Sequence, residues 1–83
     1  MMFHFSRHAL DEMRRRGIPS TIVDGVLQNP EQVVTQGDGK KVYQSRIPFG
    51  HTVFLVRVIV ADRSAQAVDA VRLSAAPAKR VRG

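Results

Sequence analysis

The spacing of apolar residues changes at Pro30, and this change constrains the fold more than any other feature of the sequence. Before Pro30, apolar residues recur every three to four positions, as on one face of a helix. After Pro30 they alternate with polar residues or form one short continuous run, which is typical of β-strands. Because the residue before a proline avoids helical torsions, Asn29 is a natural end for a helix. The sequence therefore predicts helices first and strands second, an α+β fold.

Two helices are expected in the first part. Ser6 can cap a helix from about Arg7 to Arg16, and Gly17 can end it because glycine adopts the left-handed cap conformation without strain. A second helix is expected from about Ser20 to Gln28, with a clear apolar face. The helix residues expected in the core are Leu10, Met13, Ile22, Val26 and Leu27.

Four strands and three turns are expected in the second part. The strands would cover about residues 31–36, 41–47, 52–60 and 67–73. The third is the most apolar and is expected to be central, with Phe54, Val56 and Val58 facing the helices. The predicted fold is two N-terminal helices packed on one face of a four-stranded antiparallel β-meander. We expect one domain over residues 1–83, with a loose basic tail from about residue 76.

Arg57 interrupts the third strand on the face that points away from the helices. Its aliphatic stem could carry the charge to water, or the side chain could lie in a groove and hold a phosphate. Its neighbour depends on the register of the last hairpin. An odd-sum pairing puts Arg72 beside Arg57, whereas an even-sum pairing puts Asp69 there. The sequence leaves both alternatives open.

The charge balance points to a polyanionic partner. The chain has 13 lysines and arginines against 7 acidic residues, a formal net charge of +6 and a sequence pI near 11.2. Ten of the 13 cations are arginine, whose guanidinium matches phosphate geometry better than an ammonium group does. This composition is expected of a nucleic-acid-binding domain, with RNA or DNA as the polyanion.

Several classes of site are excluded by residue type and spacing. The chain has no cysteine, so disulfides, thiolate metal sites and cysteine nucleophiles are excluded. No pattern such as HExxH and no glycine-rich phosphate loop before a helix is present. We therefore expect neither a metal nor a cofactor. No apolar run approaches about 20 residues and the N-terminus lacks a signal-peptide core, so we expect a cytoplasmic protein without membrane contact.

The stretch "SRHALDEMRRRGI", residues 6–18, contains the strongest candidate for chemistry. His8, Glu12 and Arg15 project from one helix face, and a histidine with a pKa near 6.5 can act as an acid or a base. The alternative is a solvated helix face that carries ordinary i,i+4 ion pairs. Spacing alone favours the solvated face.

The segment "FSRHALDEMRRRGIPSTIVDGVLQNPEQVV" resembles the start of a bacterial family of small domains of unknown function. Those domains open with Ser/Thr-x-His-Ala-x-x-Arg-Met-x-x-Arg-Gly-Ile, followed by Val-x-x-x-Leu-x-x-Pro and a strand meander. The matching residues are Ser6, His8, Ala9, Met13, Arg16, Gly17, Ile18, Val23, Leu27 and Pro30. Glu12 stands where the family has arginine, which either weakens the cleavage hypothesis or shifts the cationic role to Arg15 or Arg16.

That family in turn resembles the RelE/ParE-type toxins of bacterial toxin–antitoxin pairs, many of which are small basic ribonucleases. The resemblance implies an RNA-binding, toxin-like domain. Metal-free endoribonuclease activity is compatible with this resemblance. His8 would act as base or acid, Arg57 would stabilise transition-state charge, and Arg15 or Arg16 would hold the phosphate. The residues expected to attract the nucleic-acid backbone are Arg14, Arg46, Arg72, Lys79 and Arg80.

The partners implied are RNA or the ribosome, with an acidic antitoxin-like protein and a homodimer also compatible. Base stacking would depend on Tyr43 and Phe49, the aromatic residues expected to be exposed. Because this is a thin aromatic set, a non-catalytic basic module that binds RNA, a ribosome or an acidic protein is the alternative. A third interpretation is an interaction domain whose sheet edge pairs with a partner segment.

Overall fold

The structure, a computed structural model, describes residues 3–62 and 67–75. Its elements are β1 (His4–Phe5), α1 (Arg7–Arg16), α2 (Ser20–Gln28), β2 (Gln32–Thr35), β3 (Lys41–Phe49), β4 (Thr52–Asp62) and β5 (Ala67–Ala75). Both helices cover the residues that the sequence predicts. No described helix combines the length and the apolar content that crossing a membrane requires. The expected basic tail, including Lys79 and Arg80, lies outside the described residues.

The sheet differs from the predicted one. It has five strands in the order β1-β5-β4-β3-β2, with β1 parallel to β5 and the other neighbours antiparallel. The predicted four-stranded antiparallel β-meander is therefore wrong, and the sheet is mixed. The strand that the sequence missed is β1, which contains only His4 and Phe5. Two residues cannot show an alternating pattern, so their pairing with a distant strand leaves no periodic signal.

Ser6 attaches the start of α1 to β5. Its backbone N–H donates to the carbonyl oxygen of Val68 at 2.9 Å, and its Oγ donates to the carbonyl oxygen of Asp69 at 2.7 Å. The same Oγ accepts the backbone N–H of Ala9 at 3.0 Å, which makes Ser6 the N-cap. At the other end Gly17 adopts φ +67°, the left-handed conformation that glycine tolerates. Helix α1 is thus held to the sheet at its first residue.

Helix α1 packs on the sheet through part of the predicted apolar face. Ala9 and Met13, one turn apart, are its buried residues, whereas Leu10 is 44% exposed. The prediction that Leu10 lies in the core is therefore wrong. Each residue turns the helix by about 100°, so the face centred near Ala9 turns Leu10 outwards. It brings Glu12 and Arg16 towards β5 instead.

The core lies between the two helices and one face of the sheet. The predicted residues Met13, Val26, Leu27, Val56 and Val58 are buried in it, and Ile22 packs against it. Tyr43 is also buried there, and Phe49 is partly buried, so neither aromatic is free for base stacking. We call the opposite face, which carries a small cluster of Val42, Ile59 and Ala70, the outer face.

Replacing Ser6 with alanine should lower the free energy of unfolding by about 1–3 kcal/mol, because a helix cap and a bond to β5 disappear together. Urea denaturation measures this change. Ser20, which opens α2 without a capping side chain, is the matched control, and Ser20→Ala should change stability by no more than about 0.5 kcal/mol. Equal effects of both substitutions, or no recovery in Ser6→Thr, would contradict the proposed role of the Ser6 hydroxyl.

Candidate functional site

Two arginines lie directly opposite each other on neighbouring strands of the outer face. Arg57 of β4 pairs with Arg72 of β5, in a register whose residue numbers sum to an odd value from Phe54 to Ile59. The register shifts beyond Ile59, so Asp69 has no partner residue on β4. The Asp69 carboxylate accepts a hydrogen bond from Lys40 Nζ at 3.0 Å. Of the two registers left open by the sequence, the structure has the one that joins the arginines.

The strand registers arrange the outer face into two adjacent rows across the sheet. The polar row consists of Gln32, Gln44, Arg57 and Arg72. The apolar row consists of Val34, Val42, Ile59 and Ala70. Residues of the two rows are two positions apart along each strand, so the rows run about 6.8 Å from each other. The outer face therefore places charge beside an apolar row, in which Val34 is 40% exposed and Val42, Ile59 and Ala70 are buried.

Helix α1 completes a cavity at the edge of β5. We call it the arginine cavity: its volume is about 160 Å³, and it is lined by Glu12, Arg16, Arg57 and residues 71–74. The Arg57–Arg72 pair borders it from the sheet, and Arg16 borders it from the last turn of α1. Three cations from three different elements thus meet at one small cavity. Of the predicted catalytic residues, Arg16 and Arg57 lie there, and Arg72 joins them.

The cations of the arginine cavity differ in their pairing from Arg14, Lys40 and Arg46, which have acidic partners. Arg14 lies 3.5 Å from Asp11, and Lys40 is bonded to Asp69. By contrast, the guanidinium groups of Arg16, Arg57 and Arg72 make no ion pair and no hydrogen bond with any residue in the described ranges. Like charges placed directly opposite each other on a sheet are destabilising. An anion held between them would remove this repulsion.

Arg46 is occupied by Glu31. Glu31 Oε1 accepts the Arg46 backbone N–H at 2.8 Å and its Nε–H at 3.1 Å, and Oε2 accepts Nη2–H at 3.3 Å. The side-chain hydrogen bond and then the backbone one hold the pKa of Glu31 below its usual value. The same bond raises the pKa of Arg46. Arg46 was predicted to attract a nucleic-acid backbone, but its guanidinium already has a partner.

Glu12 connects the arginine cavity with His8. The Glu12 side chain is only 14% exposed, and its Oε1 is buried without a hydrogen-bond partner among the described residues. Its other oxygen, Oε2, lies 3.9 Å from His8 Nε2, and the His8 side chain is 59% exposed. His8 itself does not line the cavity. An unpaired buried acceptor is costly, so Glu12 is suited to accept a hydrogen bond from a bound molecule.

A second cavity shares the arginine pair. We call it the sheet cavity: its volume is about 310 Å³. It is lined by Val34, Gln36, Val42, Gln44, Arg57, Ile59 and Arg72. Arg57 and Arg72 therefore stand between the arginine cavity and the sheet cavity. Within the described part of the chain, no three His, Asp or Glu side chains are grouped closely enough to hold a metal ion.

A family model described as a domain of unknown function, DUF4258, matches residues 5–68, more than half of the 83-residue chain. The chain therefore belongs to the DUF4258 family. The DUF4258 match contains Glu12, Arg16 and Arg57 and ends before Arg72. No curated protein and no solved structure matches the sequence significantly. The family description names no activity, so the function has to be argued from the geometry.

The remaining site predictions fall at different places on this DUF4258 domain. Arg15 is exposed on α1 and does not line the arginine cavity. Lys79 and Arg80 lie outside the described residues. The residues that sequence reasoning did not assign to the site are Glu12 and Gln44. The hairpin register would have placed Gln44 beside Arg57, but the burial of Glu12 depends on how α1 is rotated.

Replacing Arg72 with glutamine should raise the free energy of unfolding at low ionic strength by about 0.2–1 kcal/mol, because it removes a like-charge cross-strand pair. Urea denaturation at about 0.01 M salt, where charges interact over about 30 Å, measures the gain. The gain should shrink at about 1 M salt, where the Debye length is about 3 Å. Arg14→Gln, which breaks an exposed pair with Asp11, is the control and should not stabilise. A destabilised Arg72→Gln would contradict the repulsion argument.

Proposed function

We propose that this protein binds RNA and holds a backbone phosphate at the arginine cavity, between Arg16, Arg57 and Arg72. The observation that carries the proposal is the Arg57–Arg72 pair, two like charges in direct register without an anionic partner among the described residues. Guanidinium groups bind phosphate oxygens in two-pronged geometry. Three of them around about 160 Å³ suit one phosphate group.

Three further observations favour RNA as the source of the phosphate. The net charge of +6 attracts any polyanion. The family that residues 5–34 resemble is in turn similar to RelE/ParE-type toxins, many of which are ribonucleases, and this favours RNA over DNA. The buried Oε1 of Glu12 has no hydrogen-bond donor among the described residues. The ribose 2′-OH is a donor that RNA has and DNA lacks. Glu12 is therefore proposed to accept this hydroxyl beside the phosphate.

RNA binding should weaken steeply with salt between about 50 and 200 mM, since each phosphate contact releases counterions. Replacing Arg16, Arg57 and Arg72 together with glutamine should flatten the slope of log K against log salt by about 2, at roughly 0.7 for each lost contact with a single strand. Fluorescence anisotropy with a labelled single-stranded RNA measures both slopes.

The matched control for this variant is Arg14→Gln with Arg46→Gln, because both guanidinium groups have acidic partners. Its slope should change by less than half as much. Glu12→Gln should reduce the preference for RNA over DNA of the same sequence. Salt-insensitive binding, or equal slopes for the two variants, would refute the phosphate site, and binding only to an acidic protein would favour the non-catalytic module instead.

RNA cleavage without a metal is the second candidate function, and the link from His8 to Glu12 supports it. His8 Nε2 lies 3.9 Å from Glu12 Oε2, and Glu12 lines the arginine cavity. An exposed imidazole one helical turn from the phosphate site could give or take a proton at the ribose or the leaving oxygen. Arg57 would then stabilise the charge that develops on the phosphorane.

His8→Ala should reduce RNA cleavage by about 10²–10⁴-fold while leaving RNA affinity nearly unchanged, since only the acid or base is lost. Purified protein, incubated with labelled RNA and a chelator, measures the product. The wild-type rate should vary with pH, because proton transfer by an acid or a base depends on its protonation state. Equal product from both proteins would remove His8 from the mechanism. No product from either, with binding retained, would leave RNA binding without chemistry.

A further inference from the structure

We infer that the sheet cavity receives an unpaired base of the bound RNA, directly beside the phosphate held by Arg57 and Arg72. This inference rests on the proposed function and adds to it a base subsite on the outer face. It also narrows the ligand to single-stranded RNA, because a base within a duplex faces its partner and cannot lie on a sheet.

The arginine cavity and the sheet cavity share two cations. Arg57 and Arg72 line both the arginine cavity and the sheet cavity. A phosphate bound by this pair therefore lies at the mouth of the sheet cavity. The sheet cavity, at about 310 Å³, is the larger of the two spaces beside the pair and has room for the base that is attached to this phosphate through its ribose.

The sheet cavity is lined by both apolar and polar side chains. Its floor consists of Val42 and Ile59, which are 7% and 8% exposed, and Val34 on the edge strand, 40% exposed, supplies most of the accessible apolar contact. The apolar row lies about 6.8 Å from the polar row, two residues along each strand. A flat apolar group held at this distance from a phosphate is what a nucleotide provides. An acidic peptide would bring charge, but no flat apolar group is fixed beside its carboxylate.

Side-chain amides border the apolar floor of the sheet cavity. Gln44 Nε2 donates to Gln32 Oε1 at 2.6 Å, which leaves Gln44 Oε1 available as an acceptor. The exposed Gln36 lines the same cavity and carries both a donor and an acceptor. Base edges present donors and acceptors that amides can pair with. The base is therefore held by apolar contact on its face and by hydrogen bonds on its edge.

The contact with the base is aliphatic. Four aromatic residues, Phe3, Phe5, Tyr43 and Phe49, belong to or pack against the cluster under the helices. Phe54 contacts the Phe49 ring at a centroid distance of 5.7 Å, away from the outer face. Stacking on an aromatic side chain is thus not available to the base. We expect the base to contribute modestly to the binding affinity. The experiment therefore compares two strands that differ only in the presence of bases.

The experiment compares a five-nucleotide adenosine RNA with a strand of the same ribose-phosphate backbone that lacks every base. Both are titrated into the full ¹⁵N-labelled chain, followed by amide chemical shifts and by affinity. Both strands should move the Arg57 and Arg72 signals, because both supply phosphate. The strand with bases should bind about three- to tenfold more tightly and should also move the signals of Val34, Val42 and Ile59.

Val33 and Val34 provide a matched pair of variants. They are neighbours on β2 with similar exposure, 45% and 40%, and they point to opposite faces of the sheet. Val34→Ser should weaken binding of the adenosine strand about three- to fivefold and leave the abasic strand unchanged. Val33→Ser should change neither. Because both variants perturb the same edge strand equally, a loss of strand structure would affect both.

The outcomes separate the base subsite from the phosphate site. Equal affinity and equal shifts for the two strands would overturn the base subsite and leave the proposed phosphate site standing. Equal losses in Val33→Ser and Val34→Ser would also overturn it. If neither strand moves the Arg57 and Arg72 signals, the proposed function and the base subsite both fall.

Discussion

The arrangement of the whole site depends on the hydroxyl group of Ser6. This one group caps α1 through Ala9 and bonds the backbone of β5 at Asp69. The helix therefore begins against β5, with a fixed rotation about its axis. That rotation buries Ala9 and Met13 and turns Glu12 and Arg16 towards the edge of β5. Together with the backbone bond from Ser6 to Val68 and the burial of Ala9, this contact fixes the orientation in which α1 completes the arginine cavity.

Three of the described cations have acidic partners, and the others, with Arg57 and Arg72 among them, have none. Arg14, Lys40 and Arg46 are partnered by nearby carboxylates, so their charges are largely spent on local structure. Arg57 and Arg72 face each other without such a partner, although a glutamine at either position would avoid the repulsion. Unrelieved repulsion between two like charges in direct register is typical of a site arranged for a ligand and not for stability. Arg14, Lys40 and Arg46, whose charges are already paired, are therefore expected to contribute little to ligand affinity.

The outer face combines two kinds of surface that separately would carry little meaning. Isolated exposed valines are common on proteins, and single arginines often extend to water. Here the strand registers place an apolar row next to a polar one, and the arginine pair ends the polar row. The alignment offers a charged group and a flat apolar group at a fixed spacing. A nucleotide is built in the same way, which links the phosphate site to the proposed base subsite.

The sequence by itself determined both helices, the capping residues and most of the core, because those features depend on local periodicity and on residues a few positions apart. It also indicated Arg57 and Arg16 as site residues, through their positions on a strand and a helix. Only the tertiary structure decided that β1 joins the sheet, that Leu10 is exposed, and that Arg72 rather than Asp69 faces Arg57. These outcomes depend on contacts between residues up to about sixty positions apart, such as Ser6 with Asp69. Such contacts produce no periodic pattern in the sequence. The pairing of the two-residue strand β1, the rotation of α1 about its axis and the choice between two β4–β5 registers one residue apart are set by packing.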